Sequence, residues 1–182
     1  MENNGRVGDW IQTMTGVIFY PLDPRPEEIR IEDIAHALSH QCRFAGHCRE
    51  FYSVAQHSVL VSQNVPSGVA LWGLMHDAAE AYLVDLPRPI KRFCEMGRLY
   101  REIEERLMGC ICERFGMVPE MPEAVHHMDT VLLMTEKRDL MTPEPKPWED
   151  TARPLDLRIK PWLSVRAKHA FLNRFKMLAG QK

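Results

Sequence analysis

The chain has 182 residues, 45% of them hydrophobic and 26% charged, a composition near the globular average that excludes a disordered tail, a collagen-like repeat and a coiled-coil rod. This length corresponds to about one domain at roughly 150 residues each, so a single domain over residues 1–182 is expected. A formal net charge of −2 argues against a protein that coats nucleic acid, which needs clustered positive charge.

The first residues contain no apolar run of signal-peptide length. Thr13 to Pro21, with β-branched and aromatic residues around Gly16, reads as a short hairpin or irregular arm. Pro21, Pro24 and Pro26 then force a loop, and Ile31 to Leu38 is a short helix. Ser53 and Gln56 have capping-box spacing and open a helix that stops before Pro66. A second helix is expected from Ser67 or Gly68 to about Val84. From Phe51 to Met75 there are 25 residues without Asp, Glu, Lys or Arg, long enough to span a bilayer. A spanning helix would bury Gln56, His57, Ser58, Ser62, Gln63 and Asn64 in lipid, where unpaired polar groups cost several kcal/mol each. Two core helices with a turn between them are the better reading, and no membrane partner is expected.

A third long helix, about Met96 to Phe115, places Met96, Leu99, Tyr100, Ile103, Leu107 and Ile111 on one side. Its other side pairs Arg98 with Glu102 and Glu102 with Arg106, and Gly116 stops it. Pro122 opens the next helix, which carries Val125, Met128, Leu132 and Leu133 inward and ends near Met141. Thr142 to Pro161 is a proline-rich loop, and Ser164 caps a last amphipathic helix. The fold class is all-α with a small N-terminal β arm. Cys42, Cys48, Cys94, Cys110 and Cys112 are odd in number and form no Cys-x-x-Cys pair, so reduced thiols in the cytoplasm are expected.

The informative residues break the core pattern. His57 lies three after Val54 and four before Val61, on the buried stripe of its helix. Asp129 lies four after Val125 and three before Leu132, again on an inward stripe. His76 and Asp77 are adjacent in the most apolar helix, and Glu80 is spaced to share one surface with both. Buried carboxylates need a cation, and no Lys or Arg lies within one helical turn of Asp77 or Asp129. Two imidazoles and two carboxylates brought together form a ligand set for one divalent transition metal, Mn, Fe, Co, Ni or Zn, rather than an all-oxygen Mg or Ca cage.

The order His57, His76-Asp77, Asp129 resembles the HD superfamily of metal-dependent phosphohydrolases. Further matches are Arg43-Phe44-Ala45-Gly46-His47, Tyr52-Ser53-Val54-Ala55-Gln56-His57-Ser58, and His76-Asp77-Ala78-Ala79-Glu80 followed by Asp85-Leu86-Pro87, Pro89 and Lys91. These look like the 5′-deoxynucleotidase branch, and the phage dATP triphosphohydrolases within it. Thr135 to Leu140 also resembles that group, and the resemblance spans roughly Ile31 to Met141.

The resemblance implies a compact HD helical bundle in which His57, His76, Asp77 and Asp129 hold one metal. It implies that Glu80 orients or deprotonates the attacking water, that Asp85 is a second acidic residue of the site, and that Arg43 and Lys91 contact phosphate. Phosphoester hydrolysis at neutral pH needs these parts: a metal, a base and fixed positive charge. Arg43 and His47 are four apart and would face one site if that segment is helical. His126, three before Asp129, is a further phosphate candidate, and Phe44 with Pro87 or Pro89 is a candidate wall for a base. The expected substrate is a small-molecule deoxynucleotide, acted on by a homo-oligomer. dATP cleaved to deoxyadenosine and triphosphate is favoured over a deoxynucleoside monophosphate because Arg43, His47, Lys91 and His126 are a generous set for one phosphate. Two other classes are a di-iron oxygenase, which would need His47 or His126 as further ligands, and a catalytically silent HD binding module. The spacing of Cys42, His47 and Cys48 matches no zinc knuckle.

Overall fold

The computed structural model describes residues 5–149 and 151–180. Those residues are mostly helical, with a two-stranded sheet near the N-terminus, as an all-α chain with a short β arm requires. They cluster into two compact units, Met1–Ala37 with Ala78–Glu120 and Leu38–Asp77 with Met121–Lys182. Among them no helix is long and apolar enough to cross a membrane, and the five cysteines are unpaired.

In the first unit, β1 (Ile11–Gln12) and β2 (Ile18–Phe19) pair antiparallel, with Ile11 opposite Phe19. Gly16 at φ +81° turns the chain between them, a conformation glycine adopts without a Cβ penalty. The arm is fastened by Asp33, in the first turn of α1 (Ile31–His40), which accepts 2.7 Å bonds from both the Thr15 N–H and its hydroxyl. Phe19 is fully buried and stacks on Tyr82 of α4 (Glu80–Leu83), with 4.1 Å between centroids. Next come α5 (Arg88–Phe93) and α6 (Glu95–Phe115).

Helix α6 ends as its spacing predicts. Gly116 is left-handed at φ 63° and ψ 41°, and the Met117 N–H reaches back to the Cys112 carbonyl at 2.9 Å. Its inward stripe is shorter than the periodicity suggests. Leu107 and Ile111 are fully buried, whereas Met96 and Leu99 are exposed. Helix α5 packs instead on Gly97, where an added Cβ would stand 2.6 Å from the Lys91 Cα. The missing side chain, not the large ones beside it, makes that contact.

The second unit is built around α2 (Val54–Asn64), which packs on α3 (Ala70–Met75), α7 (Glu123–Leu140) and α8 (Ser164–Ala179). The Ser53 side chain accepts the Gln56 N–H at 3.2 Å and caps α2. The expected capping box is not reciprocal. Gln56 donates through Nε2 to the Lys160 carbonyl at 2.9 Å and accepts the Trp162 N–H at 2.7 Å, so its buried amide pins the chain that leads into α8. Ser164 is the first residue of α8 rather than its cap; Leu163 holds the cap position without a side-chain bond.

The helix expected from Ser67 to about Val84 is broken. A 3₁₀ turn at Ser67–Val69 leads into α3, and turns over residues 76–79 separate α3 from α4. The His76 imidazole supplies a reason: its Nδ1 donates to the Gly73 carbonyl at 3.0 Å, competing for the acceptor that the Asp77 N–H would use in a continuing α-helix.

The loop between α7 and α8 is irregular, as its prolines require, and Asp139 fastens it. Its carboxylate accepts from the Ile159 N–H at 2.8 Å, from Arg158 at 2.5 Å and from Arg138 at 2.7 Å. Burial opposes ionisation of Asp139, but these donors outweigh it and hold the carboxyl well below the usual range. A depressed carboxyl stabilises the fold above its unfolded pKa of about 3.9 and loses that contribution as pH falls toward the folded value. Asp139→Asn is therefore expected to cost about 1.5–3 kcal/mol at pH 7, the usual worth of charged hydrogen bonds. The gap between the two proteins should narrow steadily below about pH 4 in denaturant titrations. A gap that stays constant down to pH 3 would contradict this account.

Candidate metal centre

Four side chains converge within the second unit. His57 stands one turn into α2 and is fully buried, His76 and Asp77 follow the end of α3, and Asp129 sits on α7. The two Nε2 atoms of His57 and His76 are 3.2 Å apart. Asp129 Oδ1 lies 3.1 Å from His57 Nε2 and 4.0 Å from His76 Nε2. Asp77 Oδ2 lies 3.2 Å from His76 Nε2 and 3.8 Å from His57 Nε2. The ligand atoms of His57, His76 and Asp129 all fall within 4.8 Å of one another.

The far side of each ring fixes what the near side offers. His76 Nδ1 faces a carbonyl, which can only accept, so the proton is on Nδ1 and Nε2 of the neutral ring carries a lone pair. His57 Nδ1 faces the Glu136 carboxylate at 2.6 Å, and the same logic holds. A carboxylate behind a histidine sets its tautomer and orientation in metal sites. With both rings neutral, two imidazole lone pairs and an Asp129 oxygen address one small volume, with Asp77 Oδ2 beside His76 Nε2. That arrangement favours a cation, whether a proton on His57 or a metal ion.

One residue of this cluster, Glu136, has no role in the sequence reading. Glu136 is fully buried and accepts from His57, from the Tyr52 hydroxyl at 2.9 Å and from Arg43 Nε at 3.0 Å. Its signal was available, because Glu136 lies seven residues after Asp129, two turns along the same helix face. Arg43 is the cation that no local spacing supplies. Its Nη1 lies 3.5 Å from Asp77 and its Nη2 4.0 Å from Asp129. The chain around it is held by pairing of Cys42 with Ser53 and by a 2.9 Å bond from the Arg43 N–H to the Tyr52 carbonyl.

The electrostatics follow from these contacts. Asp77, Asp129 and Glu136 stand against Arg43, and without a metal a proton on His57 offsets part of the negative charge that remains. Burial opposes ionisation of all three carboxyls and is outweighed in each. His76 holds Asp77 down to about 2, His57 holds Asp129 well below the usual range, and Arg43 with His57 does the same for Glu136. Burial and Arg43 resist a proton on His57, yet Glu136 and Asp129 raise it to about 9. The centre attracts positive charge strongly, and its mixed nitrogen and oxygen donors can hold a metal ion.

The other expected site residues do not join this cluster in the same way. Phe44 and Ala45 adopt left-handed backbone at φ 56° and 50°, so the segment is a kinked 3₁₀ turn and not the helix that would turn Arg43 and His47 to one side. Phe44 lies against Trp148, with 6.4 Å between ring centroids. His47 and His126 are exposed and make no hydrogen bond or ion pair with the cluster. Glu80, Asp85 and Lys91 belong to the first unit. Glu80 is buried at the start of α4, and exposed Asp85 pairs with Lys91 at 2.7 Å, a lysine that also holds Glu104 at 3.1 Å.

Among known proteins, the chain is 47% identical to the uncharacterized protein YfdR of Escherichia coli (strain K12), over 131 residues that make up 72% of each chain. It is 33% identical over 192 residues to an uncharacterized protein of Rhodobacter capsulatus, covering 93% of this chain and 95% of that one. No family model matches the chain.

Proposed function

The chain belongs to the family of the Escherichia coli protein YfdR, and we propose that this member is a metal-dependent phosphohydrolase that cleaves the 5′ phosphate ester of a deoxynucleotide. One observation carries the reading. His57, His76, Asp77 and Asp129 bring two imidazole nitrogens and two carboxylate oxygens together beside a single arginine. A single divalent transition metal, Mn, Fe, Co, Ni or Zn, satisfies that donor set. When bound, such a metal supplies Lewis-acid polarisation of a phosphoryl oxygen and acidifies water.

The remaining work falls to the chain's own residues. Arg43 offers fixed positive charge beside the cluster, suited to phosphoryl oxygens. The resemblance to HD phosphohydrolases gives Glu80 and Asp85 the acid–base part. It also favours dATP, cleaved to deoxyadenosine and triphosphate. The reaction takes place in the cytoplasm on a free nucleotide, in a homo-oligomer, and the nearly balanced charge supports the absence of a nucleic-acid partner.

A second reading, 5′-deoxynucleotidase action on monophosphates, is favoured by a specific observation. Lys91 is already paired with Asp85 and Glu104, and exposed His47 and His126 make no hydrogen bond or ion pair with the cluster, so the charge set that suggested a long phosphate tail shrinks toward Arg43. Chromatography of dATP and dAMP reactions with Mn²⁺ or Co²⁺ separates the two. The triphosphate reading expects deoxyadenosine and intact triphosphate, with no dADP or dAMP along the way. Cleavage of dAMP alone establishes the second reading, and release from neither nucleotide contradicts both.

A further inference from the structure

We infer that Arg43 holds down the affinity of the cluster for its metal, and that Glu136 is the positioning residue that keeps it there. The inference rests on the reading that the cluster takes a divalent cation. Arg43 Nη1 and Nη2 approach Asp77 Oδ2 and Asp129 Oδ1 at 3.5 and 4.0 Å. These are the same two oxygens that stand 3.1–4.0 Å from the Nε2 atoms of His57 and His76. The guanidinium thus addresses the same carboxylate atoms that would hold a metal ion. Like charges so close repel, in surroundings where water screens little, because the Arg43 side chain is only 15% exposed.

Arg43 has little freedom to move away. Its Nε is tied to Glu136 Oε2 at 3.0 Å and its backbone N–H to the Tyr52 carbonyl at 2.9 Å. The other oxygen of Glu136 takes His57 Nδ1 and the Tyr52 hydroxyl. One buried carboxylate therefore sets both the orientation of a metal ligand and the place of the opposing cation. The arrangement has a purpose if the guanidinium serves an anion: a phosphoryl group that pairs with Arg43 cancels its charge and relieves the repulsion. Metal and anion then favour each other, and by linkage the effect is reciprocal.

The test is the Mn²⁺ affinity of the full chain, measured by competition with a chromophoric chelator, with and without inorganic phosphate. Arg43→Gln keeps a donor at the position of Nε, where Glu136 is bound, but removes the charge. It should bind Mn²⁺ about tenfold more tightly than wild type or better, since a repulsion of about 1.4 kcal/mol or more is removed. Phosphate should tighten Mn²⁺ binding in wild type and do so less in Arg43→Gln. Arg43→Lys, which keeps the charge, should stay near wild type in the absence of phosphate. Equal or weaker Mn²⁺ binding by a folded Arg43→Gln, judged by its melting curve, overturns the inference while leaving the metal centre standing. A wild-type chain that binds no Mn²⁺, Co²⁺ or Zn²⁺ overturns both.

Discussion

Asp129→Ala is expected to release the metal and to lower deoxynucleotide hydrolysis by about a thousandfold or more, equivalent to about 4 kcal/mol of transition-state stabilisation. Asp129 is the carboxylate nearest His57 Nε2, at 3.1 Å, and it lies on α7, a different helix from either histidine. Its removal therefore opens one whole side of the ligand set, and no neighbouring acid on α7 can replace it within a turn. It also lowers the negative charge of the cluster by one, so the remaining donors hold a divalent ion less well. The check pairs metal content by mass spectrometry with product release under saturating Mn²⁺. Asp129→Ala that keeps one metal per chain and normal turnover would place the chemistry elsewhere.

Glu136→Leu is expected to have the largest effect on stability. The carboxylate is fully buried and holds His57, Tyr52 and Arg43 at once, at 2.6, 2.9 and 3.0 Å. Leucine fills the volume but leaves a guanidinium and a phenol hydroxyl without their partner, and breaking a buried ion pair from one side typically costs about 3–5 kcal/mol. For a chain of this size each kcal/mol moves the melting temperature by roughly 2–4 °C, so a fall of roughly 6–20 °C should appear in a thermal melt. Leucine rather than alanine is the informative choice, because it isolates the lost charge from a cavity. A fall under about 2 °C would mean that Glu136 carries little of the cluster's stability.

The parts of the site that sequence reveals are those whose polarity contradicts local periodicity. His57, His76 and Asp129 were visible because each occupies a stripe position that apolar neighbours mark as buried, and the structure brings their ligand atoms together. Glu136 shares that property with Asp129 but sits beside Lys137 and Arg138, where a carboxylate reads as one member of a charged helix surface. Arg43 was placed by motif, not by geometry. Its partner Asp77 is 34 residues away, and the left-handed turn at Phe44 and Ala45 defeats any helical projection from its neighbours.

The fold shows the same limit. Ser53 and Gly116 end their helices as local chemistry dictates, since each signal acts within a few residues. The break after Met75 depends on one imidazole competing for a backbone carbonyl, which leaves the apolar pattern on either side unchanged. Gln56 looked like half of a capping box because its true partners, Lys160 and Trp162, lie more than a hundred residues on.

The central claim, that His57, His76, Asp77 and Asp129 hold one divalent metal, is tested most directly by anomalous diffraction from crystals grown with Mn²⁺ or Co²⁺. A single strong anomalous peak is expected within ligand distance, about 2.0–2.2 Å, of both Nε2 atoms and of at least one of the two aspartates. A peak ligated by other residues, or none at full metal occupancy of the crystallisation medium, would contradict it.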